Sequence, residues 1–130
     1  MKKFLLTLVI GLISFVASAQ LIIETNGKDV YSFNGSQWVG VQSNPGLQSR
    51  FVIPRDASYV QYQSYGVDEV YMVVGEFYRD TSTYAEQYVA QIRGGGYSYT
   101  IILDYTNNQV RIVNGYQSLV QYYITRRYSL

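Results

Sequence analysis

The reading of the fold turns on "AEQYVAQIRGGGYSYTII", residues 85–102. Before the three glycines, Ala85, Tyr88, Val89 and Ile92 fall at i, i+3, i+4 and i+7, joined by Tyr84 one residue earlier. That spacing predicts one face of a helix. Asp80-Thr81-Ser82-Thr83 supplies N-cap candidates, and Glu86 stands three residues after Thr83 as a capping-box partner. Arg93 suits the negative C-terminal end of the helix dipole, and Gly94 suits a positive-φ cap. The expectation is a helix over about 81–93. After the glycines, Tyr97–Leu103 alternates as a strand, with Tyr99, Ile101 and Leu103 on one face. The order helix, glycine, strand argues against a phosphate loop, which runs strand to helix so that helix N-terminal amides face the anion.

Outward from this stretch, Glu69–Tyr78 reads as a long strand. Val70, Met72 and Val74 point one way; Tyr71, Val73 and Gly75 point the other. Gln109–Val113 is a further strand. The segment Tyr116–Ile124 reads both ways. Tyr116, Leu119, Val120, Tyr123 and Ile124 have helical spacing, whereas the tyrosine and β-branched content suits a strand or a hairpin through Asn114-Gly115. A second helix over about 116–127 therefore stays open beside the strand. Toward the N-terminus, Asn34-Gly35 joins Val30–Phe33 to Gln37–Val41 as a hairpin. Asn26-Gly27 and Asn44-Pro45-Gly46 read as turns, while Arg50–Ile53 and Tyr59–Gln63 read as short strands. The fold class expected is α+β: a small β-rich domain with an antiparallel sheet and one or two helices.

The chain opens with Met1-Lys2-Lys3, an apolar run from Phe4 to Val16, and Ala17-Ser18-Ala19. This is the pattern of a secretory signal peptide over 1–19, cleaved after Ala19. The run falls short of the ~20 apolar residues of a membrane span. No lipobox cysteine offers a lipid anchor. The expectation is an exported protein of the periplasm, cell surface or extracellular space, without membrane insertion once the signal is removed. Organisation reads as a hairpin-rich segment, 20–66, and an α+β module, 67–130, forming one compact unit.

Composition narrows function. The ten basic residues include Lys2 and Lys3; without them eight face nine acidic ones, a net charge of −1. That is no footprint for nucleic acid. Cysteine is absent, so no disulfide staples the fold. Histidine is absent too, which removes the commonest general base and metal ligand. Lys28, the lone lysine after the signal, reads as a solvated turn residue, and the carboxylates are dispersed without calcium-loop spacing. The expectation is a non-enzyme with no cofactor and no metal. The fifteen tyrosines are the compositional oddity. A phenol ring is an apolar plate with a polar tip, suited to strands and to sugar faces.

Residues 71–127 resemble the SPOR domain, the sporulation-related-repeat family of peptidoglycan-binding modules. The resemblance rests on Val73-Val74-Gly75-Glu76-Phe77, on the spacing of Ala85, Ile92, Gly96 and Tyr97, and on Arg111-Ile112-Val113-Asn114-Gly115. It departs where the family carries a polar Gln and a Ser of its glycan surface; Val73 and Glu76 stand there. No fourth strand follows the second helix, so Tyr59–Gln63 is expected to cover the exposed edge of the Glu69–Tyr78 strand. The resemblance implies a β–α–β–β–α–β fold and non-catalytic binding of peptidoglycan glycan strands on an open sheet face. Tyr71 would stack, Arg111 would donate hydrogen bonds, and Val73 and Thr100 would share their face. A different reading is a β-rich surface or fibre subunit that self-associates. A third is an exported inhibitor or accessory protein that binds another protein through its loops.

Overall fold

A computed structural model describes residues 20–81, 85–115 and 117–130. The expected signal peptide, residues 1–19, lies outside them, as do Ser82, Thr83, Tyr84 and Tyr116. The described chain is all β. Eight strands run in order: β1 (Leu21–Phe33), β2 (Trp38–Ile53), β3 (Tyr59–Ser64), β4 (Val67–Asp80), β5 (Gln87–Gly94), β6 (Tyr97–Asp104), β7 (Gln109–Asn114) and β8 (Ser118–Ser129). Each pairs antiparallel with the next, and β8 returns to β1, closing a barrel. Antiparallel neighbours need only short connections, and full closure leaves no sheet edge along the paired length.

The α+β expectation is thereby corrected, and residues 85–102 show why. They form the β5–β6 hairpin, with Gly94 opposite Tyr97 and Gly95-Gly96 as its two-residue turn. Both turn residues have positive φ, +59° and +82°, as hairpin twist requires. Tyr88, Ala90 and Ile92 alternate inward. Val89 faces out, covered by its cross-strand partners Tyr78 and Ile102. An apolar residue covered on the outer wall, set beside two inward ones, imitates helical spacing. Gly94 is no helix cap. A Cβ there would sit 2.6 Å from Cδ1 of Tyr71, so the absent side chain makes room for that ring. Glu86, assigned to a capping box, instead donates its backbone N–H to the Thr106 hydroxyl at 2.6 Å.

Of the two readings left open for the segment from Tyr116, the strand is the one formed. Ser118–Ser129 is β8, with Val120, Tyr122 and Ile124 packed on the core. Two expected turns are also corrected. Asn26-Gly27 lies inside β1 at a bulge, with Gly27 at φ +88°, and Asn44-Pro45-Gly46 lies inside β2 opposite that bulge. Bulges let these long strands bend around a small barrel. The Asn34-Gly35 hairpin forms as expected, Phe33 pairing with Trp38. Tyr59–Ser64 does cover β4, pairing Tyr59 with Met72 through Ser64 with Val67.

Ile23, Phe51, Val60, Ile92, Ile101 and Val110 are fully buried at the waist. An eight-stranded barrel is just wide enough for side chains to fill or for one small ligand. Here the waist is filled and each end opens into a cavity. The outer wall carries Arg50 bonded to Gln63 at 2.6 Å, Gln61 bonded to Asp68 at 2.9 Å, and Arg93, where a lipid-facing barrel carries an apolar band.

Candidate functional site

Toward one end of the barrel four inward positions are held by tyrosine: Tyr62 on β3, Tyr71 on β4, Tyr99 on β6 and Tyr122 on β8. They line a cavity of about 440 Å³ together with Glu69, Lys28, Ser64, Asn114 and Ser118. Its floor is a triangle of rings. Phe51 lies 5.1 Å from Tyr62 and 5.1 Å from Tyr122, edge-on to the latter, and Tyr62 lies 5.4 Å from Tyr122. Offset and edge-to-face contacts of this kind add to simple burial. Tyr71 and Tyr99 form the wall, perpendicular at 5.7 Å, with Tyr97 beyond at 6.5 Å from Tyr99. The Tyr65-Gly66 turn stands at the rim, its Tyr65 side chain 98% exposed.

The hydroxyls are anchored but not exhausted. Tyr71 donates to Glu69 Oε2 at 2.7 Å, and the Tyr62 hydroxyl meets Ser49 Oγ at 3.0 Å. Burial pushes the Tyr71 and Tyr122 phenols well above the usual range. A hydrogen bond to Glu69 adds to this for Tyr71, and the neighbouring Tyr62 adds to it for Tyr122. Both stay protonated at any physiological pH; the Tyr71 proton is held by Glu69, so its oxygen is left to accept from a ligand. Glu69 supplies acceptors and Lys28 donors. The cavity offers flat rings and an array of neutral and charged hydrogen-bonding groups. Among the described residues no cluster of three or more His, Cys, Asp or Glu could hold a metal ion.

The four residues singled out from sequence do not share a face. Tyr71 lies in this cavity. Val73 is two positions deeper, opposite Ile92 and packed on the core. Thr100 and Arg111 are on the outer wall. Thr100 donates to Gln91 Oε1 at 3.2 Å. Arg111 donates to Asp104 Oδ2 at 3.0 Å and to Gln109 Oε1 at 3.0 Å. Asp104 is fully buried and also accepts from the Asn107 backbone N–H at 3.1 Å and from its side-chain amide at 2.8 Å. Arg111 thus fastens the β6–β7 turn. Sequence reasoning passed over Tyr62, Glu69, Tyr99 and Tyr122. The signal that finds them is tyrosine at inward positions of strands that all end at one rim, and it becomes visible only once the strand register is known.

Comparison of the chain with protein-family models, with curated proteins and with solved structures finds no match.

Proposed function

We propose that this is an exported, non-catalytic binding protein that takes a polyhydroxylated ligand, the end of a cell-envelope glycan, into the tyrosine-lined mouth. One observation carries the reading: four tyrosines from four strands converge with Glu69 and Lys28 on one cavity. Phenol rings lie against the C–H faces of a pyranose, and their hydroxyls, the carboxylate and the ammonium serve its hydroxyls. β-Barrel mouths are habitual ligand sites, and the cavity falls within the range of about 300–1,000 Å³ usual for them. The cavity suits a chain end better than the middle of a long strand of glycan, because the waist closes it below.

The test is retention on purified sacculi before and after amidase treatment, beside calorimetry with N-acetylglucosamine oligosaccharides. Retention and calorimetric binding that both fall in a Tyr71→Phe, Glu69→Gln double variant support the reading. Equal, negligible retention of the unaltered protein with no oligosaccharide binding sinks it.

A second reading, self-association, is favoured by a different observation. Val70, Met72 and Val74 form an outward row on β4 at 51%, 55% and 50% exposure. Sedimentation velocity over a wide concentration range decides it; a constant monomer removes it.

A further inference from the structure

The opposite mouth has another chemistry. Leu21, Ile53, Phe77, Leu103, Tyr88 and Tyr105 surround a cavity of about 550 Å³. Its wall is aliphatic and aromatic, with Tyr88 and Tyr105 rings 5.6 Å apart. The same filled waist closes it from below. Two guanidinium groups, Arg55 and Arg127, stand around it with one carboxylate, Glu86. Arg127 lies over the Tyr105 ring, 3.7 Å from its centroid, an attraction that positions the cation without neutralising it. Among the described residues the one ion pair within 4 Å is Arg111–Asp104, so neither mouth arginine is matched by a carboxylate. An apolar cup under a net positive rim complements a molecule with an apolar body and one anionic end. Guanidinium groups suit carboxylates in particular, because their forked donors meet both oxygens.

We infer that this mouth binds a free, single-chain amphipathic carboxylate, apolar chain inward and carboxylate against Arg127 and Arg55. The inference does not rest on the glycan reading, since it uses none of the tyrosine-mouth residues. The closed waist also limits the occupant to one small molecule rather than a bilayer surface.

Calorimetry with decanoate below its micellar concentration tests it, with decanol and decyltrimethylammonium as comparators. Decanoate should bind one site, about tenfold tighter than decanol, and the ammonium compound should bind worse than either. Arg127→Gln should bring decanoate down to the decanol level and leave decanol unchanged. Leu21→Trp, which fills the cup, should weaken both ligands equally, with an unchanged melting temperature showing that the barrel persists. The inference is overturned if decanoate does not bind, if the ammonium compound binds as well as decanoate, or if Arg127→Gln keeps the preference. Binding confined to phosphatidylglycerol vesicles, with no monomer binding, overturns it too.

Discussion

The two mouths of the barrel are built by the same eight strands and share one filled waist, yet they present opposite surfaces. One offers tyrosine hydroxyls with Glu69 and Lys28; the other offers Leu21, Ile53 and Phe77 beneath Arg55 and Arg127. The difference arises from a few inward positions at each end. Moving two residues along β4 goes from Tyr71 to Val73, and along β6 from Tyr99 to Ile101. Period-2 alternation builds the wall, and the inward residues beyond the waist set what each end can hold. A barrel of this size can therefore carry two chemistries without a second domain.

The strongest way to break the comparison is to remove what the mouths share. Phe51→Ala removes one ring of the tyrosine-mouth floor and opens the waist. It should cost about 3–5 kcal/mol by denaturant unfolding, and ligand binding at both mouths should be lost at modestly raised temperature. A selective break comes next. Gly94→Ala places a Cβ where the Tyr71 ring lies. It should cost about 1–3 kcal/mol and abolish binding at the tyrosine mouth, while decanoate binding is retained. If both sites respond alike, the ends are not independent.

Asp104 sharpens the comparison from the other side, because it fixes the turn that carries Tyr105. Burial raises its pKa, but the two hydrogen bonds from Asn107 and the Arg111 guanidinium together outweigh this, so the carboxyl is held below its ordinary value. A depressed folded-state pKa contributes stability that is present above the unfolded value of about 3.9 and is lost as pH falls through the folded value. The unaltered protein should therefore lose stability in acid below about pH 4. Asp104→Asn should be less stable at neutral pH and flatter across that acid range; parallel pH–Tm curves for the two proteins would refute this. The smallest change is Tyr71→Phe. It removes one hydroxyl and should weaken glycan binding by about 0.5–1.5 kcal/mol, measured by calorimetry, with the arginine mouth unaffected.

The strands were more legible than their closure. Alternation at Tyr99, Ile101 and Leu103 reads correctly because all three point into the barrel, and Asn34-Gly35 reads correctly because hairpin twist demands its conformation. The stretch before Gly94 misleads because Val89 is covered from outside by Tyr78 and Ile102, a cross-strand effect that no local window contains. Asn26-Gly27 misleads because positive φ serves a bulge as well as a turn. Pairing of β1 with β8 joins segments about a hundred residues apart, and nothing in either segment announces the other. Of the tyrosine mouth, the sequence alone singles out Tyr71. The SPOR resemblance makes Arg111 a ligand donor, and the sequence around it gives no hint of the buried Asp104 that occupies it.

Closure also brings the two ends of the described chain together. Gln20 donates its N–H to the Leu130 carbonyl at 3.1 Å, and Leu130 returns one to Gln20 at 2.9 Å. A short linker can join them, and the chain can be cut instead at the exposed Gly95-Gly96 turn. Such a circular permutant should keep every inter-strand pairing while reordering which strands are made first.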